Sequence, residues 1–382
     1  MNDQAQAQAE AEVTGLASAR RIIVKIGSAL LVDHERGTLH RQWLEGLAAD
    51  LADLRDRGQE VIIVSSGAIA VGRRYLGLAD GDLRLEEMQA AAAAGMVRLA
   101  HAYQETLAGF DLTVAQVLLT LDDSENRRRY LNARNTLDTL LRLGAVPLIN
   151  ENDTVATDEI RFGDNDRLAG RVAAMISADT LVLLSDIDGL YAADPRHDPD
   201  ARRLDVVRDI TPEIEAMAGQ AKPGYGRGGM VTKLAAAKAC LAAGCRMIIA
   251  DGTADRPISR LEDGAPCTWF LPSATPKTAR KRWIAGTLKP VGSITVDAGA
   301  AKALTQGRSL LPAGVTAVDG TFERGDAVVV KDVDGRELGR GLVAYAADDA
   351  RQIIGRRSGD IESVLGFHGR DEMIHRDDLV LG

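Results

Sequence analysis

The sequence predicts an α/β protein: a three-layer αβα sandwich around a mainly parallel central sheet, followed by a small C-terminal β-barrel-like domain. Three observations carry this. Over the first three-quarters of the 382 residues, short apolar runs alternate with longer segments of helical periodicity. The runs are continuously apolar, the mark of strands buried on both faces in a parallel sheet covered by helices. Near residue 273 the helical spacing gives way to short strands divided by Gly and Asp turns.

RIIVKIG (21–27) reads as the first strand, and RQWLEGLAADLADLRDRG (41–58) as a helix in which Trp43, Leu44, Leu47, Leu51 and Leu54 share a face and Gly58 ends the run. EVIIVSSG (60–67) is a second strand, and an Ala-rich helix spans about 84–109. LTVAQVLLT (112–120), AVPLIN (145–150), TLVLLSD (180–186) and CRMIIADG (245–252) are further strands, with helical segments between most of them. Residues 1–18 read as a disordered tail, 19–275 as the α/β domain, 276–289 as a linker with a basic run, and 290–382 as the β-rich domain and its tail. In GSITVDAGA, GVTAVDGTF, GDAVVVKD and ELGRGLVAYA the second domain offers four short strands.

Composition excludes several classes. Hydrophobic content of 46% and charged content of 26% are ordinary for a soluble globular protein. A net charge of −9 argues against a dedicated nucleic-acid binder, and residues 290–382 hold 11 Lys/Arg against 15 Asp/Glu, a net of −4. Cys240, Cys245 and Cys267 are too few for a disulfide framework and lack C-x-x-C spacing, which fits a reducing cytoplasm. The N-terminus lacks the basic and apolar regions of a signal peptide, and no apolar run reaches the ~18 residues of a membrane span.

Phosphate chemistry emerges from several loops. The dipeptide Gly-Lys is absent, which excludes a Walker-type loop, and the D-F-G element of protein kinases is missing. GYGRGG (224–229) matches G-x-G-x-x-G, but it follows a Pro-containing loop deep in the chain, not a first strand. RGGMVTKLAAAKACLAAG (227–244) is more telling: glycines lead into a helix N-terminus with Lys233 on its first turn, an arrangement that favours an anion. Lys25 sits inside an apolar strand, where a lysine is costly unless it is paired or functional. Ser65-Ser66-Gly67-Ala68 is a small-residue turn suited to close approach by a ligand, and all these loops lie where ligands of parallel sheets bind, at the carboxyl ends of strands.

The most polar of these loops is NENDTVATDEIRFGDND (150–166), in which six of 17 residues are acidic, three are Asn and one, Arg161, is basic. On residue types alone it could be a metal cage, a catalytic carboxylate pair, a reader of a cationic group, or a solvated loop.

Taken in order, VKIGSALL (24–31), VSSGAIAVG (64–72), INENDTVAT (149–157) with GDNDRLAG (163–170), LLSDIDGLYAADPR (183–196) and GGMVTKLAAA (228–237) resemble the amino acid kinase family. The INEND and GDND pair, KRWI (281–284) and the β-rich C-terminus resemble those members that phosphorylate glutamate and carry an appended PUA domain. The likeness covers about residues 20 to 380 and leaves out only the N-terminal tail.

That resemblance implies transfer of the γ-phosphoryl of ATP to the side-chain carboxylate of L-glutamate, the first step of proline synthesis. It implies catalytic roles for Lys25, Lys233 and Asp166, the last holding the two lysines. Ser66, Asp153 and Asn165 match glutamate-binding positions, and Lys25, Gly27, Ser185, Asp186, Arg227, Gly228, Gly229, Met230, Val231, Thr232 and Lys233 match nucleotide-binding ones. The family usually has a small residue where Arg227 stands. Mg²⁺ is implied on the nucleotide phosphates, with no protein metal cage. Proline is implied as a feedback inhibitor at or near the glutamate pocket, with 118–136 as a neighbouring wall or simply a solvated basic helix. A homo-oligomer, dimer or tetramer, is implied as well, and the labile acyl phosphate product suits handover to a glutamyl phosphate reductase. The competing readings are another member of the family, such as an acetylglutamate kinase, and an RNA-binding protein, because PUA domains also occur in RNA-modifying enzymes.

Overall fold

A computed structural model describes residues 15–33, 36–78, 81–155, 165–219, 229–286, 289–367 and 369–381. The chain divides into two compact units, Met1–Glu125 with Asn132–Pro276, and Asn126–Leu131 with Lys277–Gly382.

The first unit is built on an eight-stranded sheet. Its strands are β1 (Arg21–Ile26), β2 (Glu60–Ser65), β3 (Val114–Leu119), β4 (Val146–Glu151), β5 (Thr180–Ser185), β6 (Val206–Val207), β7 (Arg246–Asp251) and β8 (Cys267–Phe270), in the spatial order β6–β8–β7–β5–β1–β2–β4–β3. Among the described pairs only β7 with β8 runs antiparallel. The sheet is thus mainly parallel, as the continuous apolar runs predict. In β1, Ile22, Ile23, Val24 and Ile26 are all fully buried. Each contributes about 1.5–3 kcal/mol over an exposed side chain, which explains why strand and helices assemble around β1.

Helices α1 (Arg41–Asp56), α2 (Ala68–Tyr75), α3 (Leu85–Ala108), α4 (Arg127–Arg142), α5 (Asn165–Ile176) and α6 (Met230–Ala242) fill the connections. Register aligns the carboxyl ends of the central strands: Ile26 lies opposite both Ser65 and Leu184, and Asp251 lies opposite Ser185. The functional loops therefore leave the sheet side by side. Ahead of β1, the segment expected to be a tail to residue 18 is described from residue 15. Leu16 there is buried, and Gln59 Nε2 donates to the carbonyls of Leu16 (2.9 Å) and Ala19 (2.6 Å), so residues 15–18 pack on the fold.

The second unit contains a five-stranded sheet of β9 (Gly292–Val296), β10 (Val315–Gly320), β11 (Ala327–Lys331), β12 (Glu337–Leu342) and β13 (Leu379–Leu381), ordered β10–β9–β11–β12–β13. Its core gathers Ile294, Val296, Phe322, Val328, Val330, Val343, Tyr345 and Met373. Two segments differ from the sequence reading. Pro276–Gly286, within the expected linker, is an α-helix, α7, whose Arg280 forms a buried ion pair with Asp378 at 2.5 Å. The strand read over 292–300 stops at Val296, because Asp297 accepts from Ala300 N at 2.7 Å and starts helix α8 (Ala298–Thr305). Short helices at Ala347–Gln352 and Ile361–Leu365 follow.

One contact in the first unit is unusually close. A Cβ on Gly95 of α3 would lie 1.7 Å from the Ala68 carbonyl oxygen, and a Cβ on Gly72 of α2 would lie 1.7 Å from that of Ala91. The two helices meet backbone to backbone, which only glycine permits. Gly→Ala inside a helix otherwise stabilises by about 1 kcal/mol. Gly95→Ala should instead destabilise by about 1–3 kcal/mol through overpacking, read as a lower urea midpoint of the first unit.

Candidate active site

Two lysines converge on one carboxylate. Lys25 is the penultimate residue of β1, Asp166 the second of α5 and Lys233 the fourth of α6. Lys25 Nζ lies 2.6 Å from Asp166 Oδ1, and Lys233 Nζ lies 3.0 Å from Oδ2, with all three side chains less than a tenth exposed. Thr232 Oγ1 donates to Oδ2 at 2.8 Å and accepts from Gly229 N at 3.2 Å. Burial works to raise the Asp166 pKa, but the charges of Lys25 and Lys233, with hydrogen bonds from Lys25 and Thr232, overcome it and hold the group far below the usual carboxylate range. The cluster carries two positive charges against one negative. The excess is suited to phosphate oxygens.

A second set surrounds the turn after β2. Gly67 has φ of 106°, a left-handed conformation that lets the chain reverse into α2. Asn165 Nδ2 donates to Ser66 Oγ at 3.2 Å and to Asn150 Oδ1 at 3.1 Å, while Glu151 N donates to Asn150 Oδ1 (2.9 Å) and Asn165 Oδ1 (3.3 Å). The structure thus joins Ser66 and Asn165, as the sequence predicts, and places them beside the Asp166 cluster through adjacent residues of α5.

Asp153 lies just past β4 in a short 3-10 turn, Asp153–Val155, with 3% exposure. Its Oδ1 and the Nδ2 of Asn150 are buried with no hydrogen-bond partner among the described residues. Burial, and then the charge of Glu151, push the Asp153 pKa up to about 7. A buried carboxylate in that state attracts a cation, and an ammonium group has the right charge and donor count.

The positions that the family resemblance assigns to the nucleotide lie at the ends of β1 and β5 and at the start of α6. Gly27 N donates to Leu184 O at 3.2 Å, linking the ends of β1 and β5. Ser185 Oγ donates to Asp186 Oδ1 at 3.1 Å, and Gly252 N donates to Ser185 O at 2.8 Å. Met230, Val231, Thr232 and Lys233 form the first turn of α6, preceded by Gly229, so the positive end of the helix dipole lies beside the lysine cluster, an arrangement that suits an anion. Arg227 and Gly228 lie outside the described residues, as does the excursion 156–164. Among the described residues no group of three or more His, Cys, Asp or Glu is placed to hold a metal ion, and no helix is long and apolar enough to cross a membrane.

Residues 20–251 match the amino acid kinase family, and 292–365 match the PUA domain. The chain belongs to the amino acid kinase family. Among its curated relatives, the glutamate 5-kinase of Paramagnetospirillum magneticum is 69% identical over 96% of this chain and 99% of that one. The glutamate 5-kinase of Rhodospirillum rubrum is 62% identical, over 94% of this chain and 96% of its own. That of Dinoroseobacter shibae is 61% identical, over 96% and 99% respectively. The hydrogen-bonded set around Asn165 also takes in Asn150 and Glu151, to which the sequence reading assigns no role of their own. Both end β4 and are buried; the strand read from the sequence closes at Asn150.

The Asp153 carboxyl has a pH consequence. Its folded pKa, about 7, lies above its ordinary 3.8, so the fold binds this proton more tightly than the unfolded chain does. The stability it confers is complete below about pH 4 and is lost as pH rises to about 7. Asp153→Asn abolishes the buried charge. The variant should therefore be more stable than wild type at pH 8, by at most about 4 kcal/mol at 1.36 kcal/mol per unit. The gap should close towards pH 4 in denaturant titrations.

Proposed function

We propose that this chain transfers the γ-phosphoryl group of ATP to the side-chain carboxylate of L-glutamate, giving L-glutamyl 5-phosphate, the first step of proline biosynthesis. The observation that carries this is the pairing of a two-lysine cluster at the end of β1 with a buried carboxylate, one oxygen of which has no partner among the described residues, just past the end of β4. β1, β2 and β4 are adjacent in the sheet, so the ends of β1 and β4 lie about 10 Å apart.

In this reading Asp153 pairs with the α-ammonium, and Ser66 with Asn165 holds the amino acid between the two ends. The acceptor carboxylate has a reference pKa of about 4.3, is ionised at neutral pH and needs no general base. Its difficulty is that two anions must meet. Lys25 neutralises the phosphoryl group in transfer and Lys233 the nucleotide phosphates, while Asp166 keeps both ammonium groups aimed and Ser185 and Asp186 hold the nucleotide. Both Asp166 oxygens are taken by lysines and Thr232, so the donor set suits Mg²⁺ that is carried on the ATP phosphates and adds to their neutralisation.

Proline, which shares an ammonium and a carboxylate with glutamate, acts in this reading as an inhibitor at or beside the Asp153 end. The protein works in the cytoplasm as a homo-oligomer, where its free thiols Cys240, Cys245 and Cys267 stay reduced and its labile product passes directly to a reductase.

An acceptor panel with ADP release as the readout tests the reading. Glutamate should support turnover and N-acetylglutamate should not, because an acylated nitrogen is neutral and leaves the Asp153 charge buried and unpaired. The reverse preference overturns the assignment. Lys25→Ala and Lys233→Ala should each lower kcat by about 100-fold or more, with the melting temperature showing that each variant is folded. Asp153→Asn should act chiefly on the KM for glutamate. In the wild type that KM should rise as pH falls through about 7, as Asp153 gains its proton, and it should stay flat over the same range in Asp153→Asn.

A further inference from the structure

The Ser65–Ser66–Gly67 turn is also fixed from behind, by a side chain that the proposed reaction does not touch. Tyr103 of α3 is fully buried, and its hydroxyl lies 3.0 Å from Ser65 Oγ, which is fully buried as well. Ser65 Oγ in turn lies 3.2 Å from the carbonyl oxygen of Ser66. Donor counting sets the direction of this chain. A carbonyl only accepts, so the serine proton goes to Ser66 O. The phenol proton then goes to Ser65 Oγ, the acceptor the structure places within reach. The Tyr103 pKa is raised by burial, which keeps that proton in place.

Ser66 is thereby held at three points. Its N–H donates to Ile26 O of β1 at 3.2 Å, its carbonyl takes the Tyr103–Ser65 chain, and its hydroxyl accepts from Asn165 Nδ2 at 3.2 Å. The helix that carries Tyr103 also packs against α2, which begins at this turn, and against the Asp153–Val155 turn. One rigid helix thus backs both ends of the acceptor pocket.

We propose that Tyr103 is a positioning residue for the amino-acid acceptor: its hydroxyl, acting through Ser65, sets the orientation of Ser66 and with it the affinity for the acceptor. This rests on the reading of Ser66 and Asn165 as acceptor-binding groups. The role differs from core packing. The Tyr103 ring fills volume whatever its hydroxyl does, whereas a relay passes through one oxygen atom and is broken by removing it.

The test uses the full chain with ATP and glutamate, comparing wild type, Tyr103→Phe, Ser65→Ala, the double variant and Ser66→Ala by steady-state kinetics and thermal melting. Tyr103→Phe keeps the ring and removes only the oxygen. Each relay variant should raise the glutamate KM by about 3- to 10-fold, the weight of one hydrogen bond, with a smaller effect on kcat and on the KM for ATP. Because the two groups act in series, the double variant should be no worse than Ser65→Ala alone. A Tyr103→Phe protein that melts earlier but keeps its glutamate KM within about twofold of wild type has lost only stability, and that result overturns the relay. Full additivity of the two single effects overturns it too. Glutamate-dependent ADP release by wild type and a raised KM in Ser66→Ala check the underlying reading separately. If both hold while Tyr103→Phe is silent, the relay alone fails; if wild type ignores glutamate, the assigned reaction fails and the relay with it.

Discussion

Holding two lysines against one buried carboxylate is the constraint on which the rest of the first unit depends. Lys25, Asp166 and Lys233 come from β1, α5 and α6, and their side chains meet only if those elements approach closely. Gly170 permits this: a Cβ there would lie 3.0 Å from the Ala236 backbone, so α5 and α6 pack tightly one turn beyond the charged residues. Removing Asp166 would leave two like charges buried without a counter-charge, which is far costlier than the intact set. The cluster therefore depends on that one carboxylate. That locks the N-termini of two helices beside the end of β1, and it does so before any ligand arrives.

The two aspartates of the 150–166 stretch show how surroundings assign opposite roles to one residue type. Both are almost fully buried. Asp166 meets two ammonium groups and a hydroxyl and is driven far below the usual carboxylate range, while Asp153 meets the negative charge of Glu151 and rises to about 7. Asp166 is a satisfied group, with both oxygens engaged. Asp153 has an unfilled valence towards a cation, and its neighbour Asn150 keeps an amide nitrogen unpaired within the described residues. Unsatisfied buried polar atoms are costly in a folded protein. Two of them at one strand end mark where a ligand is expected to supply what the chain withholds.

Much of this was legible in the sequence. Continuous apolar runs such as RIIVKI and EVIIVS identify strands covered on both faces, and Lys25 stands out because a lysine inside such a run needs a reason. Tyr103 was not legible, since its spacing in an Ala- and Leu-rich helix is that of any core residue and its partner is 38 positions away. The strand read over 145–150 runs one residue further, through Glu151: polar residues suggest a loop, yet the β-ladder continues and Glu151 N finds the Asn150 side chain as its acceptor. In the C-terminal unit the short helices escaped notice, as segments of five to eight residues span too few turns to display periodicity. Pro276 reads as a breaker, although at the first position of a helix it is well tolerated.

The sites where local rules fail are also the sites where chemistry is assigned. A lysine in a strand and carboxylates buried just beyond strand ends each oppose folding by themselves. They persist because the sheet surrounding them is large and dry: β1 has fully buried neighbours on both sides, and the register with β2 and β5 leaves its carboxyl end no freedom to move. Rigidity of this kind matters for transfer between two anions. Dipoles and charges that are already aligned need no reorganisation when charge spreads in the transition state, whereas water would have to turn. The same scaffold that makes the lysines expensive to bury is what makes them useful once a phosphate arrives.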